Sequence, residues 1–164
     1  MSKADQAKWD RRYRENEAEP SACSVLKDNQ QLLPTTGKAL DLACGLGGNA
    51  LLLAKQGLTT EAWDISPVAI ESLNDRAKGL PLITKVIDIK PETLPENTYD
   101  VIVVSYFLDR ILAPAIIKAL KPGGLLFYQT FNQNQLGRGP SNPAYRLQDK
   151  ELLKMFKALN IRYY

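Results

Sequence analysis

The chain contains no histidine. That removes the usual general base near neutral pH and the commonest metal ligand. Hydrolases built on Ser-His-Asp or Cys-His are excluded outright. There are only two cysteines, Cys23 and Cys44. They form no metal-binding pattern, so no metal site is expected, and they point to a reducing, cytoplasmic setting. No apolar run approaches the ~20 residues of a membrane span. Met1 to Glu19 is rich in charge and has no signal-peptide core. The net charge is only +3, too small to argue for nucleic acid. Repeats and low-complexity segments are also absent. Any chemistry here needs little acid-base help, or takes it from Asp, Glu, Tyr or Lys.

What is present is an ordinary globular composition: 164 residues, 45% hydrophobic and 24% charged, enough for one domain with a real core. The most informative stretch is Ala39-Leu40-Asp41-Leu42-Ala43-Cys44-Gly45-Leu46-Gly47-Gly48-Asn49. It reads as a short strand, a glycine-rich turn and the start of a helix. Glycines there allow backbone amides to approach a ligand, and a helix N-terminus offers unpaired N–H groups. A purely structural strand-turn-helix corner is the other reading.

From Lys38 onward strand and helix signals alternate, as in a parallel sheet covered by helices. Strands are expected at Lys38–Ala43, Thr59–Trp63, Leu82–Ile87, Asp100–Ser105 and Leu125–Phe131. Helices are expected at Gly48–Gln56, Val68–Ala77, Ile111–Leu120 and Gln148–Leu159, with Ser66 as an N-cap ahead of Pro67. Pro91–Thr98 and Asn132–Arg146 read as loops, and the length of the second is unusual for a compact domain. Residues 1–36 read as a helical cap, with helical stretches at Asp5–Glu15 and Ser21–Leu33, and 37–164 as the domain itself. Trp9 and Tyr13 fall on one helix face. That cap serves either the core or, as a lid, a ligand.

Open α/β sheets bind ligands at the carboxyl ends of their strands, so the acidic residues there matter. Asp64 ends the second strand, 19 residues after Gly45, close to the ~20 expected of a carboxylate that holds a ribose diol. It could instead be a helix N-terminal charge. Asp88 ends the third strand. It could accept from an exocyclic amine such as adenine's with Ile89 packing on the ring, or serve in a turn. Asp41 lies inside an apolar strand, and an unpaired buried charge is costly. It needs donors from local backbone N–H groups or from a cationic ligand.

Asp41-Leu42-Ala43-Cys44-Gly45-Leu46-Gly47 resembles the first motif of class I S-adenosylmethionine-dependent methyltransferases. Trp63-Asp64-Ile65-Ser66 resembles their second, Asp88 their third, and Tyr99-Asp100-Val101-Ile102 the opening of their fourth strand. Leu120-Lys121-Pro122-Gly123-Gly124 resembles the turn before their fifth. Five motifs in order, spanning Trp9 to Tyr164, make the likeness specific. Trp9-Asp10-Xaa-Arg12-Tyr13, Tyr106-Phe107-Leu108-Asp109-Arg110 and Tyr128-Gln129-Thr130-Phe131 resemble the small tellurite-resistance-type enzymes of that class.

The resemblance implies a doubly wound, mainly parallel Rossmann-like α/β sheet and S-adenosylmethionine as cofactor. It places the cofactor among Asp41, Ala43, Cys44, Gly45, Gly47, Asn49, Asp64, Ile65, Asp88, Ile89 and Ser105. Gly45 and Gly47 would line its methionine part, Asp64 its ribose and Asp88 its adenine. Ser105, Tyr106 and Phe107 would face the methyl group. Tyr106, Asp109 and Arg138 are the candidates for catalysis, although Asp109 and Arg110 could equally cap a helix. The loop with Asn132, Arg138, Asn142 and Tyr145 would close over a small-molecule acceptor or merely connect. Nucleic acid and membrane are not expected as partners, and monomer and homodimer both stay open. The class usually ends its sheet with an antiparallel hairpin. Here Ile161–Tyr164 has room for one short strand, so the hairpin reads as incomplete, with Ile161–Tyr164 expected to pair beside the fifth strand or to begin a truncated hairpin. Two rival readings remain: a non-catalytic S-adenosylmethionine-binding subunit, and a nicotinamide-binding fold, since Gly45-Leu46-Gly47-Gly48-Asn49-Ala50 formally satisfies G-x-G-x-x-A.

Overall fold

A computed structural model describes residues 2–134 and 137–164. Met1 of the expected cap, and residues 135 and 136 of the expected long loop, lie outside the described residues. Five parallel strands form one sheet in the order β3-β2-β1-β4-β5: β1 Lys38–Leu42, β2 Thr59–Asp64, β3 Leu82–Val86, β4 Tyr99–Ser105 and β5 Leu120–Gln129. The helices are α1 Lys3–Glu15, α2 Ser24–Lys27, α3 Gly48–Lys55, α4 Pro67–Arg76, α5 Ala113–Ala119 and α6 Glu151–Met155. The chain winds outward from β1 to β3, then crosses back to β4. The switch point between β1 and β4 is where such sheets open a crevice.

The central strands are apolar because both faces are covered. Val101-Ile102-Val103-Val104 of β4 is fully buried. Leu40, Leu42, Ile102 and Val104 point to one face and pack with Leu112, Ile116 and Phe156. Ala39, Val101 and Val103 point to the other and pack with Leu26, Leu53 and Leu58. Each fully buried leucine or valine contributes about 1.5–3 kcal/mol. Helix starts follow their capping residues. Ser2 and Asp5 form a reciprocal capping box, which starts α1 two residues before the expected boundary. Ser66 Oγ accepts from the Ala69 amide at 3.2 Å, with Pro67 in the first helical position of α4.

Four expectations need correction. The helix expected at Ser21–Leu33 is one α turn, α2, followed by a 3-10 turn at Gln30–Leu32. Tertiary bonds hold this chain outside a regular helix: the Cys23 amide donates to Asn49 Oδ1 at 2.9 Å, and Val25 donates to Gln129 Oε1 at 2.9 Å. The helix expected at Ile111–Leu120 begins as a 3-10 turn, Arg110–Leu112, and ends at Ala119. Leu120 already pairs with Tyr99, and Lys121 to Gly124 loop out before Leu125 pairs with Val101. The last helix is confined to α6, preceded by Lys150 in a left-handed conformation (φ 55°). Finally, residues 161–164 join no ladder. Ile161, Tyr163 and Tyr164 are exposed, so little apolar burial draws them onto β5, which forms an edge of the sheet. The Asn132–Arg146 loop is tied down at both ends: Asn132 bridges to Leu147, and the guanidinium of Arg146 donates to the carbonyls of Asn132, Arg138 and Pro140.

Candidate active site

A cleft of about 320 Å³ lies at the carboxyl ends of β1, β2 and β4, near the lower end of the range for ligand pockets. Its floor is the turn from Ala43 to Asn49, with Asp64 and Ile65 on one side and Ser105, Tyr106 and Phe107 on the other. Trp9, Tyr13 and the chain from Asn16 to Cys23 form the remaining wall. Of the expected site residues, Ala43, Cys44, Gly45, Gly47, Asn49, Asp64, Ile65, Ser105 and Tyr106 therefore come together.

Others do not line this cleft. Ile89 is buried in the core among Leu94, Tyr99 and Leu112. Asp88 carries its carboxylate 3.8 Å from Lys90 Nζ. The Asp109 carboxylate accepts from the Ile111 amide at 3.1 Å and caps the turn before α5. Arg138 is exposed in the long loop, where its carbonyl accepts from Arg146. Arg110 is likewise committed to structure: it pairs with Glu151 and donates to the carbonyls of Ala144 and Arg146, anchoring the loop to α6.

The strand ends at the switch point carry unusual backbone. Ala43 after β1 and Tyr106 after β4 both have positive φ, 56° and 54°. Non-glycine residues there cost roughly 1–3 kcal/mol each and persist only where their surroundings hold them. Gly45 also sits at φ 54°, and an added Cβ would come 3.0 Å from the Tyr13 hydroxyl. Gly48 serves packing: a Cβ there would fall 2.3 Å from the Ser21 carbonyl oxygen. The glycine cluster thus makes room for Tyr13 and for the N-terminal segment, beside the ligand approach expected from the sequence. Sequence reading missed that second role, because which distant residues approach a glycine is not a local signal.

Two buried carboxylates organise the floor. Asp64 is bound twice by backbone: Oδ2 accepts from Gly45 N–H at 2.8 Å and Oδ1 from Ser66 N–H at 2.9 Å. It thereby ties the glycine turn to the start of α4. Burial raises its pKa, partly offset by those amides. Asp41 sits fully buried in the middle of β1, where Oδ2 accepts from Ala50 N–H at 2.9 Å. One of the free amides of the α3 N-terminus is therefore taken by the protein's own carboxylate, not by a ligand. Its other oxygen, Oδ1, has no hydrogen-bond partner among the described residues. Desolvation pushes its pKa up to about 8.

The wall opposite the floor belongs to α1. Trp9 and Tyr13 stack with centroids 5.8 Å apart, and Ser66 Oγ donates to Asp10, joining α1 to α4. Burial raises the Tyr13 phenol far above its ordinary range, so it stays neutral. No lysine or arginine is among the described residues that line the cleft, whereas Asp64 and Glu19 are. An aromatic and acidic wall suits a cationic ligand.

The test for S-adenosylmethionine is whether these residues fit it. A sulfonium suits the aromatic, acid-bearing wall, and a strand-end carboxylate beside a glycine turn suits a ribose diol. The adenine contacts expected from Asp88 and Ile89 are not among the cleft's walls. No group of three or more His, Cys, Asp or Glu side chains able to hold a metal is found among the described residues. Nor, among them, is any helix long and apolar enough to cross a membrane.

Comparison with known proteins agrees with this geometry. The methyltransferase domain family matches residues 11–163. A probable S-adenosyl-L-methionine-dependent methyltransferase, TehB of Haemophilus influenzae, is 39% identical over 89 residues, covering 51% of this chain and 31% of that protein. Hemagglutinin 1 of Eikenella corrodens is 42% identical over 96 residues, covering 53% of this chain and 32% of its own. The chain thus spans about a third of the length of these curated relatives. A protein solved in work on conversion of a disulfide bond into a thioacetal group during echinomycin biosynthesis superimposes with a TM-score of 0.71 at 22% identity, over 92% of this chain and 76% of that one. At that identity the likeness speaks for the fold. With the family match covering nearly all of its length, the chain belongs to the methyltransferase domain family.

Proposed function

We propose that this methyltransferase domain transfers the methyl group of S-adenosylmethionine to a small-molecule acceptor held between the glycine turn and the end of β4, as a cytoplasmic enzyme. The observation that carries the reading is the cleft at the β1–β4 switch point, floored by the Ala43–Asn49 turn and flanked by Asp64 and Tyr106. S-adenosylmethionine held there would supply a methyl group already activated for attack by the acceptor's lone pair. The protein's contribution is position. Near-attack alignment is worth up to ~7–11 kcal/mol in model reactions and needs no histidine.

In this reading Gly45 and Gly47 flank the methionine part, with Ala43, Cys44 and Asn49 beside them. Asp64 accepts from the ribose hydroxyls, and Ile65 packs against that end. Asp88, beyond the end of β3, remains our assignment for the adenine, whereas Ile89 is packed in the core. Ser105 and Tyr106 face the transferred group. We place Asp109 and Arg138 on the acceptor's outer side. Trp9 and Tyr13 close the cleft as a lid, and Asp41 holds α3 in place beneath it.

A methyl-transfer screen with labelled cofactor against small acceptors, with RNA and protein as controls, tests the reading. Label is expected in at least one small acceptor and in neither control. Transfer only to RNA or protein would overturn the assignment of acceptor class.

A further inference from the structure

Two side-chain amides join the N-terminal segment to the end of β4, and each has only one workable orientation. Gln129 Oε1 lies 2.9 Å from the Val25 amide nitrogen and 2.8 Å from Ser24 Oγ. A backbone N–H can only donate, so the Gln129 atom facing it is the carbonyl oxygen. Its NH2 group is therefore turned toward Tyr106, whose hydroxyl oxygen accepts at 2.8 Å. Asn49 repeats the pattern: Oδ1 accepts from Cys23 N–H at 2.9 Å, and Nδ2 donates to Ser105 Oγ at 2.8 Å. A hydroxyl whose oxygen accepts from an amide still has its own proton to give. Among the described residues, neither hydroxyl is seen to donate to a protein acceptor.

Both hydroxyls belong to consecutive residues on the cleft wall. The Tyr106 backbone is fixed as well: its N–H donates to the Gln129 carbonyl at 2.8 Å, and its ring rests on Phe131 with centroids 5.1 Å apart. These contacts hold the positive φ of Tyr106 in place.

We propose that Gln129 and Asn49 are positioning residues that set the hydroxyls of Tyr106 and Ser105 as hydrogen-bond donors toward the methyl acceptor. The acceptor is then a molecule with a lone-pair group, such as a carbonyl or ether oxygen, next to its nucleophilic atom. One lone pair of each hydroxyl is already taken by an amide, so a ligand that offers only N–H groups leaves both hydroxyl protons without an acceptor and is disfavoured. The proposal rests on the methyl-transfer reading of this cleft. It also explains why the N-terminal segment matters: docking of Cys23 and Val25 selects the amide orientation, so a loosened segment leaves both hydroxyls without a fixed polarity.

The test uses protein saturated with S-adenosylhomocysteine and two neutral aromatic probes, N,N-dimethylbenzamide, which only accepts, and indole, which only donates. Binding is followed by NMR titration. Dimethylbenzamide is expected to bind about fivefold tighter than indole, the size of one net hydrogen bond. Gln129→Glu places an acceptor opposite the Tyr106 hydroxyl, which draws that proton away from the cleft. The preference is expected to vanish in Gln129→Glu and in Tyr106→Phe, with affinity for S-adenosylhomocysteine unchanged, and the two losses are expected not to add. Equal or tighter binding of indole, saturable binding of neither probe, or a preference retained in both variants would overturn the proposal. Failure of S-adenosylhomocysteine itself to bind would instead remove the reading beneath it.

Discussion

Replacing Asp64 by alanine is expected to weaken S-adenosylhomocysteine binding by about 10- to 150-fold, the ~1.5–3 kcal/mol of a hydrogen bond to a charged group. The carboxylate has two tasks. It accepts from the Gly45 and Ser66 amides, and on our reading it also accepts from the ribose hydroxyls. Its lone pairs allow both, because an ionised carboxylate has about four acceptor sites. The variant therefore also loses the tie between the glycine turn and α4. Each kcal/mol so lost lowers Tm by roughly 2–4 °C in a domain of this size. Calorimetric titration and a thermal melt on the same sample separate the two tasks. A lower Tm with unchanged affinity would leave Asp64 as a capping residue alone.

The second large effect concerns pH. Asp41 is fully buried, one of its oxygens has no hydrogen-bond partner among the described residues, and burial pushes its pKa up to about 8 from an ordinary 3.8. Between those values the folded chain holds a proton that the unfolded chain has released. Stability must then fall as pH rises from about 4 to about 8, by up to ~1.4 kcal/mol per pH unit, and the buried thiols Cys23 and Cys44, raised above their ordinary range by burial, carry the decline on to higher pH. Burial raises Asp64 in the same direction. The carboxylates whose pKa is lowered, Asp5, Asp100 and Glu151, make their contribution at the acid end, below the usual carboxylate range. With no histidine in the chain, the usual titration near pH 6.5 does not obscure the slope. Denaturant unfolding at intervals from pH 5 to pH 8 is expected to show the decline, and Asp41→Asn is expected to flatten most of it. A wild-type curve that is flat or rising over that range would contradict the account of Asp41.

The parallel core was legible because β1 and β4 are short, largely apolar and bounded by turn residues, and because Ser66-Pro67 starts a helix by local chemistry alone. Asp41 and Asp64 were legible as carboxylates needing donors, since burial of an unpaired charge is costly wherever it occurs. What escaped the sequence was set by distant partners. Ser21–Leu33 has helical composition, yet the side chains of Asn49 and Gln129 hold it in a shorter turn. Leu120 looks helical until Tyr99 pairs with it. Asp109 and Arg110 look functional in a motif, but one caps a turn and the other anchors a loop. Tyr13 against Gly45 brings together residues 32 positions apart, beyond any local periodicity.

The most direct measurement is isothermal titration of the protein with S-adenosylhomocysteine and, separately, with NAD. The account predicts saturable one-to-one binding of S-adenosylhomocysteine and none of NAD. Binding of NAD alone would contradict it.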